Sequence, residues 1–251
     1  MIAPSSFILH HSIIPADGTI LRLVKALLKF FFGLFVVSGL VLSYFYLPAW
    51  ISTRRKASRL RQWFTDPAAH PELAIAAGAR CGDAPFLLPT DGYIGFGYGD
   101  SFRPGHSHQG LDIFGPTDLD ATPVVAAFDG YLTRESTWKS AVIIRHPRDP
   151  LDPSRQVWTY YTHMADPNGE SFILPDFPAG TRELFVPAGT LLGYQGNYSG
   201  DPNSPVGIHL HFSIVQSNGS GGYKNELEIA NTLDPIPYLG LADVDGVWCC
   251  P

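Results

Sequence analysis

Apolar positions follow two different patterns along the chain, and the first is a single uninterrupted run. Residues 30–53 read FFFGLFVVSGLVLSYFYLPAWIST and contain no charged side chain. At a helical rise of about 1.5 Å per residue, roughly 20 residues cross the hydrocarbon core of a bilayer. A buried core helix is the alternative, but helices of globular proteins seldom run so far without a charge. We therefore predict a transmembrane helix over residues 30–53.

The second pattern starts near Pro85, where short β-prone runs alternate with clusters of Gly, Pro, Asn and Asp. Such runs, bounded by turn-forming residues, are typical of strands. No stretch in this region carries a convincing helical stripe. The predicted fold is therefore mostly β, an antiparallel β-sheet domain preceded by one N-terminal transmembrane helix. The predicted strands are Pro123–Phe128, Gly130–Thr133, Ala141–Arg145, Val157–His163, Glu183–Val186, Thr190–Tyr194 and Ile208–Val215.

Together the two patterns predict five segments. A basic tail occupies residues 1–29 and the anchor residues 30–53. A linker follows at residues 54–84, where short helical stretches are interrupted by Pro67 and Pro71. The β domain covers residues 85–241, and residues 242–251 form a C-terminal tail that carries Cys249 and Cys250.

Charge divides the chain in the same way. The formal net charge is −6, yet residues 1–62 hold eight basic side chains and one acidic one, so the remainder carries −13. A strongly acidic domain is poorly suited to binding anionic polymers, and we predict no nucleic-acid partner.

Two features of the sequence predict opposite orientations of the transmembrane helix. Five basic residues follow the apolar run and three precede it, and the positive-inside rule alone would place the β domain in the cytoplasm. A disulfide between Cys81 and one of Cys249 and Cys250 would instead suit an oxidising compartment.

Histidines and one aspartate form the candidate chemistry of the β domain. The patterns His108-Gln-Gly-Leu-Asp112 and His209-Leu-His211 each place two polar side chains on one face of an extended strand, and His163 ends another predicted strand. Two imidazole nitrogens and one carboxylate oxygen make a three-ligand set for Zn²⁺ that leaves a fourth position open for water. Zinc would lower the pKa of that water and polarise a carbonyl, although another divalent metal could use the same ligands.

These residues resemble a known family. HQGLD, VAAFDGYL, AVIIRH, YTHM, PAGTLLGYQG and IHLHF occur in the order seen in the lysostaphin and LytM-like zinc endopeptidases, which cleave peptide bonds in bacterial peptidoglycan. The resemblance covers roughly residues 85–240. It implies that His108, Asp112 and His211 bind one zinc ion and that His163 and His209 are unligated catalytic histidines. It gives no role to His106, and we expect His146 to pack locally.

Together with the predicted anchor, the resemblance implies a membrane-anchored zinc metalloendopeptidase that acts on peptidoglycan peptides and faces the cell wall. The first alternative is a module of the same fold that binds peptidoglycan or regulates another protein without hydrolysis. The second is a cytoplasmic zinc protein with an unrelated substrate. Three loops depart from the family pattern and are expected to wall a cleft: residues 147–155, residues 165–185 and the segment GNYSGDPNSPVG before the HxH pair.

Overall fold

A computed structural model describes residues 18–101, 105–116, 118–244 and 247–250, without the side chains of residues 18–20, 42, 45–55 and 249. Most of the predicted basic tail, residues 1–17, lies outside this part of the chain. The structure divides into two compact units, residues 1–53 and residues 54–251.

The first element is the long helix α1, Gly18–Thr65. Its stretch Leu21–Val41 has a mean hydropathy of 2.0 and is long and apolar enough to cross a bilayer. This stretch shares residues 30–41 with the predicted anchor. One apolar N-terminal helix is therefore present, while the C-terminal end of the anchor stays a prediction.

The predicted linker, residues 54–84, is packed against the β domain rather than extended from it. Trp63 is 1% exposed and packs with Leu73, Tyr93 and Phe114 in one hydrophobic cluster. Two short 3-10 turns, Pro67–Ala69 and Pro71–Leu73, carry the chain from the end of α1 to the sheet. The prolines that suggested a stalk thus form turns, and Trp63 before them and Leu73 after them are part of the core.

The second unit is built on antiparallel strands. Seven of them lie in the order β1-β2-β9-β6-β5-β4-β7, and β10 also pairs with β9. Strands β3 and β8 form a separate two-stranded sheet, as do β11 and β12. The strands are β1 Tyr93–Phe96, β2 Leu111–Phe114, β3 Pro123–Val125, β4 Gly130–Thr133, β5 Val142–His146, β6 Val157–Thr162, β7 Leu184–Val186, β8 Leu191–Tyr194, β9 Leu210–Gln216, β10 Thr232–Leu233, β11 Ala242–Val244 and β12 Val247–Cys249. The predicted fold class, mostly antiparallel β with one apolar N-terminal helix, is confirmed, and each of the seven predicted strands overlaps an observed one.

The main core lies on one face of the large sheet. Leu132, Ile144, Tyr161 and Phe212 lie on four different strands and bury their side chains here. Side chains of the small β3–β8 sheet close the core from the other side. The opposite face carries a smaller hydrophobic cluster of Ile143, Trp158 and Val215, and it also carries polar side chains of β2, β6 and β9.

The C-terminal end is tied back to the start of the domain. A single-turn helix, α2 (Ile236–Leu239), precedes the β11–β12 hairpin, and Cys81 is bonded to Cys250. The bridge joins residues 169 positions apart and therefore holds both ends of the domain together. Of the two pairings left open by the sequence, the structure contains the one to Cys250.

Candidate metal centre

Strand register brings the site together at the centre of the large sheet. Asp112 on β2 pairs with His211 on β9, and Thr162 on β6 pairs with His211 from the other side. His108 lies three residues before β2. Its backbone N–H donates to Asp100 O at 2.9 Å.

Three of the predicted residues converge on one point. The Asp112 Oδ1 atom lies 3.0 Å from His108 Nε2 and 2.8 Å from His211 Nδ1, and the two imidazole nitrogens are 3.1 Å apart. Both histidines are buried, at 3% and 8% exposure. Of the described residues, these three form the only group with the spacing of a metal site.

The outer nitrogen of each histidine already has a protein partner. His108 donates from Nδ1 to Gly97 O at 3.0 Å, and His211 donates from Nε2 to Glu226 Oε1 at 2.8 Å. In a neutral imidazole, the proton on the outer nitrogen leaves the inner nitrogen with its lone pair. Two lone pairs and a carboxylate oxygen then face one another. This donor set fits a divalent cation such as Zn²⁺, with outer partners of the kind that orient metal-bound histidines.

His209 and His163 lie beside this group. His209 Nδ1 donates to Gly207 O at 2.6 Å, and its Nε2 lies 3.5 Å from Asp112 Oδ1. His163 Nδ1 donates to Tyr198 O at 2.6 Å. The centroids of the His163 and His209 rings are 4.5 Å apart. Both side chains therefore direct Nε2 away from their backbone partner and towards the site.

His163 reaches the site through an unusual backbone conformation. Its φ is +72°, in the left-handed region, directly after β6 ends at Thr162. Such a conformation costs a non-glycine residue of the order of 1–3 kcal/mol and persists only where the surroundings enforce it. The side chain of His163 thereby leaves the alternation of the strand.

Electrostatics favour positive charge at the centre of the group. Burial alone would lower the pKa of His211, but the bonds to Asp112 and Glu226 outweigh it and raise the pKa to about 10. Burial would likewise raise the pKa of Asp112, yet hydrogen bonds from the histidines hold it well below its usual range. Burial and then the neighbouring His209 and His211 lower the pKa of His163 to about 3.

An open cleft of about 450 Å³ lies over these residues. Besides the five predicted residues, it is lined by Gln109, Ser140, Tyr160, Thr162, Tyr198, Ser199, Gly200, Val206 and Leu227. The segment before the HxH pair therefore walls the cleft as expected. The other two expected walls are absent from the lining: residues 165–185 bury Ile173 and Phe177 in the core, and residues 147–155 bury Asp149.

The structure thus places His108, Asp112, His163, His209 and His211 in one site. His146 lies apart, at the end of β5, where it bonds to Asp129 and Thr159. Glu226 was not identified from the sequence. It belongs to the irregular segment between β9 and β10, where no periodic pattern marks one carboxylate among several polar residues.

No protein-family model and no curated protein matches the chain. Solved structures do. The catalytic domain of the antimicrobial peptidase lysostaphin from Staphylococcus simulans is 19% identical, with a TM-score of 0.38 over 57% of this chain and 89% of that one. A longer structure of lysostaphin is 17% identical, with a TM-score of 0.36, and the match covers 66% of this chain and 55% of that one.

A third similar structure is the catalytic domain of the prophage-encoded M23 protein EnpA from Enterococcus faecalis, in a mutant form. It is 22% identical, with a TM-score of 0.33 over 59% of this chain and 95% of that one. Two of these structures are of lysostaphin, which belongs to the family that the sequence motifs resemble. The activities in those names belong to those proteins, and the site geometry is what bears on the function of this chain.

Proposed function

We propose that this chain is a membrane-anchored zinc metalloendopeptidase that hydrolyses peptide bonds in peptidoglycan peptides. The observation that carries the proposal is the convergence of His108 Nε2, His211 Nδ1 and Asp112 Oδ1, 2.8–3.1 Å apart, with each outer imidazole nitrogen already donating to a protein acceptor. With both imidazoles neutral, two lone pairs and a carboxylate oxygen meet at this point, and a divalent cation would stabilise them.

His108, Asp112 and His211 would hold the zinc ion. Bound Zn²⁺ supplies Lewis-acid polarisation of the scissile carbonyl and lowers the pKa of a water molecule. The three ligands leave the cleft side open, where the substrate has access.

His163 and His209 would handle protons. Each donates from Nδ1 to a backbone carbonyl, which fixes the ring and leaves Nε2 able to accept a proton. A protonated Nε2 can then donate to the leaving amine or to the developing oxyanion. The fixed rings supply the orientation that this transfer needs.

Placement outside the cytoplasm, with one membrane pass, is part of the proposal. The apolar stretch Leu21–Val41 supports an anchor, and the disulfide between Cys81 and Cys250 supports an oxidising compartment. A peptidoglycan substrate would also be reached only there. Fusion of a compartment-sensitive reporter to the C-terminus tests this placement, and reporter activity on the cytoplasmic side alone would refute it.

The test of the activity compares zinc content and peptidoglycan release by the full chain in detergent, for wild type, His211→Ala and the control His70→Ala. We expect about one zinc per chain and hydrolysis in wild type and control, and neither in His211→Ala. Zinc without hydrolysis in the wild type would favour the non-hydrolysing module. No zinc in any of the three proteins would refute the metal site.

A further inference from the structure

The last turns of α1, residues 56–65, contact the site's supporting loops through a charged side chain. Lys56 Nζ lies 3.0 and 3.1 Å from the two carboxylate oxygens of Asp100, and each side chain is under one-third exposed. A half-buried carboxylate held at both oxygens by one ammonium has little freedom to rotate.

Asp100 in turn fixes the turn that holds His108. Its Oδ2 accepts a hydrogen bond from Gly97 N at 2.7 Å, and its backbone carbonyl accepts from His108 N at 2.9 Å. Gly97 O is the acceptor for His108 Nδ1, and Gly99 N donates to His108 O. The orientation of the His108 ring therefore depends on the turn 97–100, and that turn is held by Lys56.

A second contact leads from the same segment to His209. Trp63 Nε1 donates to Phe114 O at 2.9 Å, and the Phe64 ring packs edge-on against Phe114 at 5.1 Å. The Phe114 ring stacks on His209, with centroids 5.0 Å apart and an interplanar angle of 29°. Trp63 and Phe64 thus hold the aromatic surface against which His209 lies.

We propose that residues 56–65 of α1 are a positioning element of the site, in which Lys56 sets the orientation of His108 and Trp63 that of His209. The idea rests on the proposed function, since it assigns His108 to the metal and His209 to proton transfer. On this proposal, residues 56–65 are part of the structure that orients the site and are more than a spacer between the membrane and the β domain. The two contacts should affect two different quantities, metal affinity and turnover.

The first experiment uses Lys56→Ala and Lys56→Arg in the full chain in detergent, with Arg182→Ala as control. Arg182 forms a similar ion pair, 2.7 Å from Glu135 Oε2, without contact to the turn 97–100. Zinc affinity is measured by chelator competition, and the ligand geometry by the visible absorption of the Co²⁺-substituted protein. We expect Lys56→Ala to weaken zinc binding about ten-fold, the lower end of the effect of removing outer partners of metal ligands.

The same variant should also change the Co²⁺ spectrum, whereas Lys56→Arg and Arg182→Ala should resemble wild type in both readouts. Equal melting temperatures with chelator present would show that Lys56→Ala is folded. Wild-type affinity and an unchanged spectrum in Lys56→Ala would overturn the role of Lys56 and leave the proposed function standing. Absence of metal from the wild type would instead refute the proposed function, and the positioning role with it.

The second experiment uses Trp63→Phe, which keeps a ring in the core and removes the donor to Phe114. We expect kcat for peptidoglycan hydrolysis to fall about ten-fold, less than the roughly hundred-fold cost of a 1 Å misplacement. Zinc affinity and KM should stay at wild-type values. An unchanged kcat, or a loss of zinc affinity that matches the loss of kcat, would overturn the separate role of Trp63.

Discussion

Two sets of buried histidines lie in the same sheet, and their surroundings differ in one respect. His146, at the end of β5, is fully buried and satisfied at both nitrogens. It donates from Nδ1 to Asp129 O at 2.8 Å and accepts at Nε2 from Thr159 Oγ1 at 2.9 Å. Burial lowers its pKa to about 4, so it stays neutral and packs against Phe86 and Phe128.

The group of His108, Asp112 and His211 is also largely buried, yet the inner nitrogens of two imidazoles and one carboxylate oxygen converge on a single point. The pKa of His211 moves upwards, opposite to that of His146. Burial and hydrogen bonding therefore do not distinguish a structural histidine from a candidate ligand. The convergence of two imidazole nitrogens on one carboxylate oxygen does, and the following predictions test this comparison.

The largest expected effect is on turnover. His163→Ala and His209→Ala should each lower kcat for peptidoglycan hydrolysis by about 10²–10⁴-fold while retaining zinc, because they remove a proton carrier and no ligand. Turnover and zinc content are measured on the same samples. Loss of zinc in either variant would place that histidine among the ligands instead.

A smaller effect should follow from Glu226→Gln, which keeps the shape and an acceptor for His211 but removes the charge. We expect zinc affinity to fall about 10- to 100-fold, as for other outer partners of metal-bound histidines. Chelator competition measures the affinity, and Glu228→Gln is the matched control on the same loop. Wild-type affinity in Glu226→Gln would show that the contact is not needed to orient His211.

The smallest effect concerns stability and His146. Its folded pKa of about 4 lies below the usual value of 6.5, so the unfolded chain binds a proton that the folded chain does not between these pH values. Its contribution to the unfolding free energy is complete above pH 6.5 and decreases by about 1.4 kcal/mol per pH unit as the pH falls towards 4.

Urea unfolding of the full chain between pH 4 and 7, with chelator present throughout, measures this slope. His146→Gln should show a flatter pH dependence than wild type across the same range. Identical slopes would mean that the pKa of His146 is the same in the folded and the unfolded chain.

The features that the sequence predicts are those that follow from the two-residue alternation of strands. Alternation on strands places Asp112 and His211 on the face of the large sheet opposite the main core, and the register of β2 and β9 then makes them neighbours. Glu226 and Tyr160 line or support the site through long-range packing, which no local pattern encodes. His163 reaches the site through a positive φ, which strand alternation does not predict. The predicted linker packs on the sheet because Trp63 donates to Phe114 O, a contact between residues far apart in the sequence.

The central position of β9 has a consequence for how the site opens. Strand β6 pairs with one edge of β9, and β2 and β10 pair with successive parts of its other edge, so the amides of β9 should exchange with solvent only on near-global unfolding. His108, by contrast, lies on a loop outside the strands. Local opening should therefore release His108 first and leave His211 in place, so that His108 would be the first of the proposed ligands to separate from a bound metal while the sheet stays folded.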